Sequence, residues 1–317
     1  MTGYVLRRLA QFIPVLFLAS IAVWAIIYAA PGSPALAYAG ENATDEQVAA
    51  ISRQMGLDQP IYVQYLRWLG HLLAGDLGHS AISGLPVGGL LLDRIPATIW
   101  LGFAAVLLGT LIGLPLGAAQ ALRPRSATAR IVGLYQSIGL ALPTFWVGLL
   151  LALGLSVSLH LLPIPAQYIP PWSAPGMSLR HIAMPALTIA ILVGAIVSRF
   201  FATALGESLQ ADFIRLARSK GAPERSVVVR HGARNALLPT VTVIGLQLGS
   251  LFGGAVVTEV VFNYPGMGRL LFNAVVARDY PLVQGAVMFI VVVFLVLNLL
   301  VDLLYARLDP RVRVERG

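Results

Sequence analysis

The chain has 317 residues, 57% apolar and 11% charged, with a mean hydropathy of +0.80 and a net charge of +8. A soluble domain of this length needs far more charge to cover its surface, so membrane residence is the expectation. The absence of cysteine excludes disulfides, thiolate metal sites and thiol catalysis.

Hydrocarbon about 30 Å thick takes roughly 20 apolar residues of helix, and the spacing predicts six such spans. The first is Leu9 to Ala30, preceded by Arg7 and Arg8. Its apolar run is long for a signal peptide, and no small-residue cleavage site precedes Pro31-Gly32-Ser33-Pro34, so it reads as a retained anchor. A polar stretch continues to Ile95. Within it, Thr44 to Met55 reads as a helix capped by Thr44 and stopped by Gly56. Tyr62 to Leu73 reads as an amphipathic helix fit to lie on a membrane or a partner, closed by Gly75-Asp76-Leu77-Gly78.

The second span is Ala97 to Leu122, followed by a basic turn with Arg123, Arg125 and Arg130. The third lies within Ile131 to Leu162, a run too long for one crossing, and a Pro-rich turn (Pro163 to Pro175) follows it. Ile182 to Ser198, Ala236 to Thr258 and Leu282 to Val301 complete the set.

Basic residues set the orientation. With the N-terminus in the cytoplasm, 16 of the 22 basic residues fall on cytoplasmic segments: Arg7, Arg8, the Arg123–Arg130 turn, the loop from Arg199 to Arg234, and the tail. Both termini are then cytoplasmic. The positive charge reports topology, and a nucleic-acid partner is not expected.

The loop from about 202 to 235 is patterned. Leu209, Phe213, Leu216 and Ala217 recur at helical spacing beside Arg215 and Arg218. Gly221 suits a left-handed helix end, Pro223 the first turn of a second helix running from Glu224 to about Ala233. Such a unit fits a groove on a soluble partner or a surface of anionic lipid, and spacing leaves both open.

Other residues carry two readings each. Glu259, at the end of span five, lines a path or anchors the turn Phe262 to Gly268. Asn298 and Asp302 share one face of the last span, where a pathway role competes with pairing to Arg307. Pro143, Pro185 and Pro239 either kink spans to shape a pathway or are tolerated irregularities. Gly245, Gly249, Gly253 and Gly254 are spaced for close helix packing. The five histidines show no metal-ligand spacing, no nucleophile–base pair lies at depth, and there is no Gly-Lys-Ser/Thr phosphate loop. No catalytic, cofactor or metal site is expected in this chain. An intramembrane hydrolase is disfavoured, and so is a self-contained secondary transporter, since the span interiors are almost free of charge.

The run from Gln210-Ala211-Asp212-Phe213 through Lys220-Gly221-Ala222, with Arg230-His231-Gly232-Ala233-Arg234-Asn235-Ala236-Leu237-Leu238-Pro239, resembles the signature loop of binding-protein-dependent ABC importer permeases. Arg-Leu-Ala stands before the Gly where the wider superfamily has Glu-Ala-Ala, as is habitual in the dipeptide/oligopeptide/nickel branch. Tyr4 to Leu9, Leu57-Asp58-Gln59-Pro60, Gly75 to Gly78, Ile95 to Thr98, Ala141 to Trp146, Glu259 to Gly268, Ala277 to Pro281 and Leu308 to Arg311 resemble the branch's first, B-type permease. Ser33 replaces its usual Asp.

The resemblance implies an all-α integral membrane protein of six transmembrane helices, with a type I ABC importer permease fold. Residues 1–95 would be the first span plus an extracytoplasmic helical loop, 96–307 the permease core, and 308–317 a cytoplasmic tail. The helix from Asp212 to Gly221 would be the coupling helix that docks on an ATPase. Phe213, Leu216 and Ala217 would make its apolar seat, and Arg215, Arg218 and Lys220 its polar rim. Implied partners are a second permease in a heterodimer, two ATPase subunits carrying ATP and Mg, an extracytoplasmic solute-binding protein and membrane lipid. The implied site is the bacterial inner membrane. Peptides lead as cargo, with nickel chelates, haem and glutathione as alternatives.

Overall fold

The computed structural model describes residues 2–29, 34–39, 43–54, 56–165 and 167–308. Among the described residues fourteen α-helices follow one another: α1 (Thr2–Ala29), α2 (Pro34–Ala39), α3 (Asp45–Gln54), α4 (Ile61–Leu73), α5 (Val87–Leu92), α6 (Ile95–Leu122), α7 (Ala127–Ala141), α8 (Thr144–Leu151), α9 (Pro175–Gln210), α10 (Asp212–Ser219), α11 (Glu224–Ser226), α12 (Arg234–Val261), α13 (Met267–Val276) and α14 (Tyr280–Leu308). Two π-helical segments, Ala152–Ser158 and Val227–Ala233, extend α8 and lead into α12. Among the described residues four helices are long and apolar enough to cross a membrane, and two bent pairs raise the number to six.

The expected spans are present, with revised ends. The surplus length of the third span is a break: α7 and α8 meet at 107°. Leu142 and Pro143 are extended there, because a residue before proline is driven out of the helical region. The fourth span runs well past its apolar core, since α9 has 36 residues and a length of about 54 Å. The expected separate helix from Glu224 to Ala233 is instead a short α-turn whose π-helical continuation merges with α12. Pro223 precedes its first residue rather than occupying it.

The chain divides into two compact units. One comprises Met1–Pro96 with Gly266–Val296. Thr44 opens α3 with a reciprocal cap: Gln47 N–H donates to its hydroxyl, and its own N–H donates to the Gln47 side chain. Gly56 ends that segment with φ +69°. The amphipathic helix α4 lies against α1, where Tyr65 shares a 2.8 Å hydrogen bond with Ser20 and meets Trp24 edge-on. A second apolar cluster joins Val87 and Leu91 to Met267, Leu282 and Val283. Buried Asp279 binds the hairpin Gly78–Val87: Ser80 Oγ and the Ala81 amide, at 3.0 Å, both donate to its carboxylate.

The other unit comprises Ala97–Pro265 with Leu297–Gly317. Its core joins Leu101 and Ala105 of α6 to Ile182, Ala186, Val193 and Val197 of α9, with Tyr264. Three glycines spaced by four on α6 allow this approach. A Cβ on Gly109 would lie 2.7 Å from Val193, on Gly113 2.8 Å from the Gly194 carbonyl oxygen, and on Gly117 2.5 Å from the Ser198 carbonyl oxygen. Backbones can pack this closely only where side chains are absent. Of the four glycines singled out in the sequence, Gly245 and Gly249 do face Val301 and Asn298 of α14, whereas Gly253 and Gly254 face open space. Pro185 and Pro239 lie inside α9 and α12, and the 59° bend of α12 falls between Gly249 and Gly253, not at Pro239.

Candidate functional site

The patterned loop forms a compact element on the end of α9. Ala211 is extended (ψ 153°) and breaks the helix, so α10 starts in a new direction. At its far end the Ala222 amide donates to the Ala217 carbonyl and the Gly221 amide to the Arg218 carbonyl. This pair of bonds is a Schellman closure, and it needs the left-handed φ of +76° that Gly221 supplies. Arg218 then clasps Glu224 with two hydrogen bonds of 3.1 and 2.6 Å, fixing α10 against the start of α11. Those bonds hold the Glu224 carboxyl below its ordinary range and raise the Arg218 guanidinium above its own. The Ser208 hydroxyl donates to the Gly232 carbonyl and ties the end of α9 to the π-helical segment.

The faces of α10 are distinct. Ile214 is fully buried and pins the helix to its own chain, while Phe213 and Leu216 are exposed at 43% and 56%. Ala217 is half-buried. Asp212, Arg215, Arg218, Lys220 and Gly221 lie on the exposed rim, with Arg215 bonded to Asp212 at 3.4 Å. Two large apolar side chains left uncovered on a pinned helix with a closed C-terminus form a preorganised contact surface. The spacing argument missed Ile214 as the pin, because an eight-residue helix with apolar residues on two faces does not reveal which face is inward.

Glu259 lies elsewhere in the same unit and is fully buried. It accepts a 2.8 Å hydrogen bond from Thr98 Oγ1, and its carbonyl accepts from the Tyr264 amide. The Tyr264 hydroxyl returns to the Ala97 carbonyl at 3.3 Å. The carboxylate therefore ties the turn Phe262–Pro265 to the start of α6. Asn298 faces Gly249. Asp302 lies on α14, and its side chain is outside the described residues.

The helix α10, between α9 and α12 in the chain, is thus pinned by Ile214 and presents Phe213 and Leu216 outward. The chain as a whole is similar to known transport proteins. The family described as "Binding-protein-dependent transport system inner membrane component" matches residues 106–314, and its N-terminal companion matches residues 1–102. The chain belongs to the binding-protein-dependent ABC importer permeases. Within them it falls in the dipeptide/oligopeptide/nickel branch. The glutathione transport system permease protein GsiC of Salmonella paratyphi A is 38% identical over 99% of this permease and 100% of that protein. GsiC of Escherichia coli K12 is 36% identical over the same shares. The crystal structure of an amino acid ABC transporter with histidines is similar in fold, with a TM-score of 0.54 and 19% identity over 69% of this chain and 94% of that one.

The permease is thus a multi-pass inner-membrane component of a transport system and not itself a catalyst. Such a system works with an ATPase and a binding protein.

Proposed function

We propose that this permease forms one half of a peptide import path, as a heterodimer with a second permease and with two ATPase subunits that hold ATP and Mg. The observation that carries the reading is the outward face of α10, where Phe213 and Leu216 stand exposed on a helix whose inward residue, Ile214, is buried. ATP-driven closure of the ATPases would pull α10 and switch the path between two states. Phe213, Leu216 and Ala217 would seat in the ATPase, with Arg215 and Lys220 at the rim. Arg218 has its fork engaged by Glu224, so its contribution would be to shape the loop. Glu259 and Asn298 act in this reading as helix anchors. Both termini face the cytoplasm, which puts α10 on the ATPase side and the Gly78–Val87 hairpin outside.

Phe213→Asp is expected to leave folding and insertion intact while ATP hydrolysis no longer drives uptake; unchanged uptake would remove the assignment. Orientation is read separately, by labelling Ile82→Cys in this otherwise thiol-free chain with an impermeant maleimide in intact cells.

A second reading, glutathione as the cargo, is favoured by the relatives of 36–38% identity that carry that name over their whole length. Competition between labelled glutathione and a dipeptide for ATP-dependent uptake separates the two.

A further inference from the structure

We propose that this permease holds the phosphate of an anionic phospholipid in a cavity walled by the ends of α6, α7 and α9. The cavity is an open cleft of about 520 Å³. Its polar wall is formed by Gln120, Gln136, Arg199, Thr203 and Gln210. Arg199 contributes the only charge, no carboxylate lines the space, and no acid pairs with Arg199 among the described residues.

The wall is arranged to donate. Gln136 is buried and gives its amide hydrogens to Gln120 Oε1 at 2.7 Å and to Ser198 Oγ at 2.9 Å. With that oxygen engaged, Gln120 has its NH₂ to offer the cavity. Gln210 adds a second amide. The Thr203 hydroxyl is spent on the Arg199 carbonyl, so it lends shape, not a proton. A guanidinium flanked by amide donors, without a competing acid, is the chemistry of an oxyanion site.

Depth selects the occupant. A Cβ on Gly117 would touch the Ser198 carbonyl, so Gln120 and Arg199 lie at one level of the bundle. At that level both apolar stretches end, α6 at Leu122 and α9 at Ser198, and Arg123 and Arg125 follow in the turn around the lining residue Pro124. Hydrocarbon gives way to headgroups there, and basic pockets between helices at this boundary attract anionic lipids.

The test is native mass spectrometry of the purified importer assembly after exchange into mixed micelles holding dioleoylphosphatidylglycerol and dioleoylphosphatidylcholine. The intact permease is expected to retain the anionic phosphatidylglycerol in preference to the zwitterionic phosphatidylcholine. Arg199→Gln should lower that retention about tenfold, the equivalent of one charge-assisted hydrogen bond, and Arg199→Lys by less. Gln120→Leu supplies a second variant, with the charge kept and one donor lost, should Arg199→Gln fail to assemble. Equal retention by intact and variant chains would overturn the assignment, as would equal retention of the two lipids. Loss of the preference when inorganic phosphate is added at the same concentration as the lipid would make the occupant a free anion and overturn the lipid source.

The proposal depends on the orientation given above only for which leaflet supplies the lipid. Micelles are blind to sidedness, so failure here and failure of the Ile82→Cys labelling are separate results.

Discussion

Thr98 Oγ1 and Glu259 Oε1 meet at 2.8 Å across 161 residues of chain, and both side chains are buried. The bond closes the beginning of α6 onto the end of α12 in a setting where water cannot substitute for a lost partner. Glu259→Ala is expected to destabilise the permease by on the order of 1–3 kcal/mol, the cost of an unmade buried hydrogen bond. Glu259→Gln, which keeps an acceptor oxygen, should cost less. Thermal unfolding in detergent measures both, and equal midpoints for the two variants would contradict the account.

The α6 glycines predict a steric result. Gly117→Val places carbon against the Ser198 carbonyl, a backbone atom that cannot rotate away. Overpacking of about 1–3 kcal/mol is expected, read as a lowered unfolding midpoint. Gly154→Ala is the matched control, since nothing lies within 4 Å of its new methyl.

Asp279 fastens the Gly78–Val87 hairpin by two donors and also receives the Leu282 amide at 3.4 Å. Asp279→Ala should free the Ala81–Leu85 tip, whose amides are expected to exchange with deuterium about tenfold faster or more, as the loss of charge-assisted bonds implies. Unchanged exchange would mean that the local turn bonds suffice.

Ile214 is the pin of α10. Ile214→Ala should cost about 2–5 kcal/mol of local docking, the usual range for emptying a buried site. Leu216→Ala, at an exposed position, should stay within about 0.5 kcal/mol. Limited proteolysis of the loop distinguishes them: the first variant is cut rapidly, the second at the parental rate.

Acid should loosen the same loop late. The Glu224 carboxyl is held below its ordinary value of about 4.5 by the Arg218 bonds. Its contribution is therefore complete above that value and is lost as pH falls through the depressed one. Loop protection against proteolysis is expected to be flat from neutral pH to about pH 5, while Glu224→Gln at neutral pH mimics the acidified parent.

Features settled by residues within one turn of each other were legible in the sequence. Thr44, Gly56 and Gly221 all do what their local chemistry requires, because caps and left-handed stops depend on neighbours only. The tertiary features were not. Surplus apolar length in the third span and the Leu142–Pro143 step that interrupts it were visible, but the 107° angle at which α8 departs depends on its packing against α9 and α12. Small residues occur on α6 and α12 alike, and only the structure distinguishes Gly109, Gly113 and Gly117, which meet backbone or a branched side chain, from Gly253 and Gly254, which meet nothing. The Asp279–Ser80 clamp joins residues 199 apart, a separation over which local pattern carries no information.

The length of α9 has a mechanical meaning. A single rod of about 54 Å runs from Pro175 to Gln210 and ends at the extended joint of Ala211, directly before α10. Helical backbone resists compression, so a push on α10 cannot be absorbed as shortening. It must turn at Ala211 or flex at Pro185, where the ring removes one rung of the hydrogen-bond ladder. A partner seated on α10, as proposed above, would therefore work a crank with two bearings, and the far end of its shaft is at Pro175.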